Sequence, residues 1–158
     1  MINEEEKLKK YIKENSIRAE HLRFKESLHS VQDTLRVTGF DLNHITKTMI
    51  FKGPEGKVVA AMVPAKFRVS VSRLEEASGV EKLELTNPDE AYRITGYPVG
   101  GMPCFGYNAI LVIDPKVLEK EYVYTGGGSE LSLVKISTEE IKRITKTIVQ
   151  RISGKKSN

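Results

Sequence analysis

The sequence predicts an α+β protein, with a mixed, largely antiparallel central sheet and surrounding helices. Three observations carry that expectation. Ile45 to Lys52 and Lys57 to Val63 are apolar-rich runs, joined by Gly53 to Gly56, a loop of hairpin length. Cap signals opening helical stretches recur along the chain, before residues 31, 73, 88 and 138. Helices and strands are mixed around a central antiparallel hairpin instead of alternating as in a doubly wound sheet.

Each element has its own signal. Residues 4–14 place Leu8, Tyr11 and Ile12 at helical spacing with charge elsewhere. Residues 19–25 read as a first strand. Ser30 with Asp33 resembles a capping box and opens a short helix that ends near Gly39. After the hairpin, Ser72 with Glu75 forms the same kind of box for a helix stopped at Gly79, and residues 82–85 read as a short strand. Asn87, Pro88, Asp89 and Glu90 supply an N-cap, a first-turn proline and two first-turn acids. Ala109 to Ile113 is apolar enough for a buried strand. Further strands are expected near residues 122–124 and 131–136, bracketing Gly126, Gly127 and Gly128. Ser137 with Glu140 caps a last helix running to about Ile152, whose apolar face is Ile141, Ile144, Ile148 and Ile152. Residues 1–152 are thus expected to form a single domain, with 153–158 a frayed basic tail.

Composition narrows the class. With 39% hydrophobic and 29% charged residues, the chain is an ordinary globular one, and its longest apolar runs are far too short to span a bilayer. The start, MINEEEKLKK, lacks the basic and apolar regions of an export signal. A lone cysteine, Cys104, excludes an intrachain disulfide, and a reducing, cytoplasmic location is expected. His21, His29 and His44 show no metal-ligand spacing, and no phosphate loop or dinucleotide fingerprint is present, so neither metal nor cofactor is expected. A formal charge of +4 permits an anionic partner without demanding one.

Two features stand out chemically. The stretch GYPVGGMPCFG, residues 96–106, holds four of the 12 glycines and two of the six prolines. A plain turn needs fewer, so either the chain makes an awkward corner or something approaches its backbone closely. The second feature is Lys47, which strand alternation places on the more apolar face, with Ile45, Met49 and Phe51. An ammonium there either snorkels to solvent or anchors an anionic or carbonyl-bearing ligand, and spacing leaves both open.

Residues 45–49, ITKTM, are similar to the lysine-threonine strand of the YbaK/ProX family of aminoacyl-tRNA deacylases. Residues 95–101, TGYPVGG, resemble that family's TGY-x-x-GG loop. The order of intervening elements, Ile113-Asp114 and the glycine turn of residues 124–129 also match, over about residues 30–148. The resemblance implies a YbaK/ProX-like deacylase domain that hydrolyses the ester of mischarged tRNA. The expected substrate is tRNA-Pro carrying alanine, cysteine or another small amino acid, with prolyl-tRNA synthetase as a possible partner. It assigns Lys47, Gly100 and Gly101 to catalysis, and Tyr97, Met102, Pro103, Gly127, Gly128 and Ser129 to substrate binding. Glycine-loop N–H groups would stabilise the oxyanion and Lys47 would hold the terminal phosphate or the carbonyl, with no protein nucleophile.

Several readings stay open beside the resemblance. Tyr97 suits packing, or stacking on the terminal adenine. Ser129 belongs either to a tight turn or to the pocket rim. Cys104 favours a structural or pocket-lining role over that of a nucleophile. It occupies a position where the family commonly has proline, so the resemblance does not fix the pocket's shape or the amino acid removed. The basic residues of the last helix serve a solvated face, with part available to phosphate. A non-catalytic module binding aminoacyl-RNA or another small ligand is the alternative function, and a hydrolase for a different ester a remoter one.

Overall fold

Local cap chemistry sets most of the boundaries. The computed structural model describes residues 3–156. Helix α1 (Glu4–Glu14) is capped by Asn3 and carries three acids in its first turn. Strand β1 (Ala19–Arg23) follows, then α2 (Val31–Thr38), capped by Ser30 and closed by a left-handed Gly39. The central hairpin is β2 (Thr46–Lys52) and β3 (Val58–Pro64). A short strand β4 (Phe67–Val69), unforeseen in the sequence, precedes α3 (Val71–Ser78). The N-cap of α3 is Ser70 and not Ser72, because the Ser70 hydroxyl accepts from the Arg73 N–H. Glu75 is thereby free to accept from the Leu83 N–H. Strand β5 (Glu84–Leu85) leads into α4 (Pro88–Thr95), whose Asn87–Glu90 capping box is complete.

The remaining elements are β6 (Ile110–Ile113), β7 (Tyr122–Gly126), β8 (Ser132–Ser137), α5 (Thr138–Ile144), β9 (Thr147–Val149) and β10 (Ser153–Lys156). The central sheet has five strands in the order β5-β2-β3-β6-β9. Its β5–β2 and β2–β3 ladders are antiparallel, whereas β3–β6 and β6–β9 are parallel. A second, antiparallel sheet of three strands runs β1-β8-β7, and β10 pairs with β4. The two larger sheets meet where Ile45 bridges to Tyr124 and the Thr46 hydroxyl donates to the Tyr124 carbonyl at 2.7 Å.

The central sheet is covered on both faces, which explains the near-continuous apolar sequence of β3. Ile50, Ala60, Met62, Leu111 and Ile113 face one cluster, shared with Leu8 of α1 and Tyr97. Phe51, Val59, Ala61, Val63 and Val112 face the other, shared with Leu74 of α3 and Ile152.

The C-terminal region departs from the sequence reading. Helix α5 stops at Ile144 because Thr145 is already extended (φ −129°, ψ 149°). Thr145, Thr147, Ile148 and Val149 are β-branched, lose side-chain freedom in a helix, and fit a pleated edge better. Ile141 and Ile144 pack on one core cluster, whereas Ile148 and Ile152 pack on the other. The four isoleucines serve both sides of the sheet, not one helical face. Residues 153–156 do not fray either, since they form β10 on β4.

Asp114 locks this crossing in place. The residue is fully buried, and its Oδ2 accepts from the Ile152 and Ser153 N–H groups at 2.9 and 2.8 Å, while Oδ1 accepts from the Lys116 N–H at 2.9 Å. Burial pushes the carboxyl up, but the backbone donors outweigh it and hold the group below its ordinary 3.8. A carboxyl depressed in the folded state stabilises fully above its unfolded pKa and loses that contribution as pH falls through the lower folded value. Asp114→Asn sets an amide against backbone donors, and a loss of about 1–3 kcal/mol is expected in denaturant unfolding at neutral pH. The difference from wild type should shrink as pH falls below 3.8. Equal stability of the two proteins at neutral pH would refute the assignment.

Candidate active site

Helix α4 ends at Gly96, which is left-handed at φ 82°, and the chain turns Tyr97 inward. Gly101 then adopts φ 148°, in a region that disfavours side chains. A Cβ there would stand 2.5 Å from the Ser129 nitrogen and 2.6 Å from its carbonyl oxygen. Across the contact, a Cβ on Gly126 would stand 2.3 Å from the Met102 oxygen. The Gly128 N–H donates to the Gly101 carbonyl at 2.8 Å. The 99–102 loop and the turn after β7 therefore meet backbone to backbone, in a seam that any side chain would pry open. That close approach accounts for Gly101 in the first glycine-rich stretch and for Gly126 in the second.

The seam is backed from α1. Ser129 Oγ donates to Glu5 at 2.8 Å, and Arg23 donates to the same carboxylate at 2.6 Å. Burial pushes the Glu5 carboxyl up, yet Arg23 and Ser129 hold it below the ordinary 4.5. His21 Nε2 lies 2.8 Å from the Gly127 carbonyl.

In front of the seam lies a cavity of about 170 Å³. Its walls come from the start of α2, the first residues of β2, the 99–102 loop and the turn at 126–133. Lys47 lines it, flanked by the buried Thr46 and Thr48. Lys47 is half-buried, and its ammonium has no hydrogen-bond or ion-pair partner among the described residues. Burial lowers its pKa, and the charge of Arg68 adds to the effect. The Thr48 hydroxyl on the same wall is also buried without a partner. The cavity thus presents an ammonium not committed to the fold, which is the state expected of a group that meets a ligand.

The structure brings together Lys47, Gly100, Gly101, Met102 and Ser129 on this cavity. Four other expected residues do not line it. Tyr97 is fully buried in the core, with the Lys7 ammonium 4.7 Å from its ring centre, so its ring is unavailable for stacking on a base. Pro103 is buried, and its carbonyl accepts from the Tyr107 hydroxyl at 2.6 Å. Gly127 and Gly128 lie behind the seam, where a Cβ on Gly128 would come within 3.0 Å of the Glu4 carbonyl. These two glycines hold the wall from the back.

Two expected roles also change. The Gly101 N–H donates to the Val99 carbonyl at 2.9 Å and is not free for an oxyanion. The Gly100 N–H has no partner among the described residues, and neither do those of Met102 and Ser129, so three backbone donors on the cavity wall are uncommitted. The Ser129 hydroxyl is committed to Glu5, although its backbone forms the seam. Cys104 sits in the core at 2% exposure, away from the cavity, with its thiol pushed up to about 12 by burial, which disqualifies it as a nucleophile. Sequence reasoning missed His29 and Glu130 on the cavity rim. A single acid in a polar turn carries no pattern that could have singled it out.

Comparison with known proteins places the chain in a family. The family profile described as aminoacyl-tRNA editing domain matches residues 25–155. The proline–tRNA ligase of Pelotomaculum thermopropionicum is 31% identical over 102 residues, 64% of this chain and 18% of the ligase. That of Geobacter sulfurreducens is 29% identical over 100 residues, 63% of this chain and 17% of the ligase. The chain therefore corresponds to under a fifth of the length of these relatives. Among solved structures, the hypothetical protein APE2540 superposes with a TM-score of 0.85 at 29% identity, covering 94% of this chain and 99% of that one. A candidate trans-editing enzyme for prolyl tRNA synthetase shares the fold, with a TM-score of 0.87 at 19% identity over 98% of this chain and 99% of its own. No helix among the described residues is long and apolar enough to cross a membrane. With the profile spanning residues 25–155, most of the sequence, the chain belongs to the aminoacyl-tRNA editing domain family.

Proposed function

We propose that the protein is a deacylase that hydrolyses the ester between a small amino acid and the 3′ end of a mischarged tRNA. The observation that carries this reading is Lys47, an unpaired, partly desolvated ammonium on a small cavity walled by glycine backbone, in a chain of the editing family. Water attacks the ester carbonyl, the bond to the ribose oxygen breaks, and the free amino acid and the 3′ hydroxyl leave. Lys47 holds the terminal phosphate or the carbonyl oxygen, and the Gly100 N–H stabilises the oxyanion as it forms. The reaction as drawn uses no protein nucleophile: Cys104 lies elsewhere and the Ser129 hydroxyl is occupied.

Size is the selector. A cavity of about 170 Å³ is smaller than drug-sized ligand sites, which start near 300 Å³, and suits a small side chain with the end of a ribose. A pocket of this kind excludes larger residues by steric conflict and cannot reject smaller ones. The proline–tRNA ligase relatives support tRNA-Pro as the tRNA, with prolyl-tRNA synthetase a possible partner, and the size of the cavity supports alanine, cysteine or another small amino acid as the group removed.

Lys47→Ala should lower kcat/KM on alanyl-tRNA-Pro by roughly 100-fold or more, the scale of losing one charge-stabilising donor. Its folding stability should not fall, because the ammonium makes no hydrogen bond or ion pair in the fold. A variant that cleaves as fast as wild type would refute the assignment. If wild type itself cleaves no aminoacyl ester faster than the spontaneous rate, the protein is a binding module on this fold.

Because the Lys47 pKa is lowered, the working ammonium is lost as pH rises through a value below the ordinary 10.5. Binding of an amide-linked, non-hydrolysable alanyl-RNA analogue should weaken across that range, and Lys47→Arg should shift the weakening to higher pH. An unchanged profile in Lys47→Arg would remove Lys47 from the contact. Gly101→Ala places a Cβ against the Ser129 backbone, so it should lower both the melting temperature and the activity. Wild-type values of both would mean that the seam is not closed as described.

A further inference from the structure

The cavity that holds Lys47 contains one carboxylate, and nothing in the proposed hydrolysis has used it. Glu130 is the only acidic residue among those lining the cavity, where Lys47 and His29 are the basic ones. Its carboxylate lies over Gly100: a Cβ on that glycine would stand 3.0 Å from Glu130 Cγ and 3.2 Å from Oε1. The bare backbone at 100 thus gives the carboxylate its place beside the loop. Its partners are weak, the Ser27 hydroxyl at 3.4 Å and His29 Nδ1 at 3.3 Å. Among the described residues no lysine or arginine pairs with it, and Lys47 and Glu130 share the cavity without forming an ion pair.

Two opposite charges in one small cavity, each without a full counter-ion, fit a ligand whose own charges run the other way. An aminoacyl ester at an RNA 3′ end is such a ligand. Its α-amino group is largely protonated near neutral pH, and it lies two bonds from the carbonyl carbon under attack. We propose that Glu130 is the acceptor for the α-ammonium of the aminoacyl group, making the cavity selective for free amino acids over N-blocked acyl groups. This assignment rests on the deacylase reading for the identity of the ligand. With the ammonium held over Gly100 and Lys47 on the phosphate or carbonyl side, the ester is fixed at two points. Charge-assisted contacts of this kind are short and directional, and they orient as well as bind.

The test uses two amide-linked 3′-alanylamino-adenosine analogues, one with a free amine and one N-acetylated, titrated by calorimetry into the full chain. Wild type should prefer the free amine by about 10- to 100-fold, the range for a hydrogen bond to a charged group. Glu130→Gln should abolish that preference while leaving affinity for the acetylated analogue unchanged, and Glu130→Asp should keep part of it. An unaltered melting temperature for Glu130→Gln separates this loss from misfolding, since the side chain is exposed at the rim. The proposal is overturned if Glu130→Gln keeps the preference, if wild type shows none, or if wild type binds neither analogue. A wild type that binds with this preference but cleaves no ester would sustain Glu130 and remove the deacylase reading. One that cleaves free and N-acetylated alanyl esters equally would do the reverse.

Discussion

The contact on which the site depends is the approach of two backbones without side chains between them. Gly101 and Gly126 meet at distances that no Cβ tolerates, and the Gly128 N–H to Gly101 carbonyl bond fastens them. This joins the loop after α4, which hangs from the five-stranded sheet's core, to the turn between β7 and β8 of the other sheet. The cavity is the space left in front of that junction, so its shape follows from how closely the two strips of peptide pack. Conformational permissiveness is spent at Gly101 and Gly128, the left-handed or near-mirror positions, and close approach at Gly126.

Around that junction the polar groups divide into those committed to the fold and those left over. Glu5, Arg23, His21 and the Ser129 hydroxyl are bonded to one another or to the turn's backbone, and they hold the wall from behind. Asp114 does the same for the distant crossing into β10. The Lys47 ammonium and the Gly100 N–H lack such commitments among the described residues. Burying polar groups without partners costs stability. Retaining them along one small cavity makes sense where a ligand supplies the partners. The site is therefore defined as much by these groups' lack of internal partners as by its shape.

Much of this was legible in the sequence, and the reasons differ by element. Helices α1, α2 and α4 were readable because their caps are local chemistry: Asn87, Pro88 and Glu90 announce a helix whatever surrounds them. The hairpin was readable from its loop length. The segment after Ile144 was misread because isoleucines three or four apart satisfy a helical period, while in the fold they are divided between two faces of a sheet. That division depends on β6 offering a parallel edge, a tertiary fact absent from the local pattern. Strand β4 is not legible in the sequence because three residues hold too little alternation, and its partner β10 reads as a tail.

At the site, residue type and motif located Lys47 and the double glycine, but not which atoms are free. Whether Gly101 N–H is available, whether Tyr97 faces in or out, and whether Glu130 reaches Gly100 are questions of orientation, which a one-dimensional pattern does not contain. The most direct measurement is single-turnover hydrolysis of tRNA-Pro charged in parallel with alanine, cysteine, serine and proline. The account predicts cleavage well above the spontaneous rate for at least one of the three small amino acids, with prolyl-tRNA left intact. Equal, spontaneous rates for all four would contradict it.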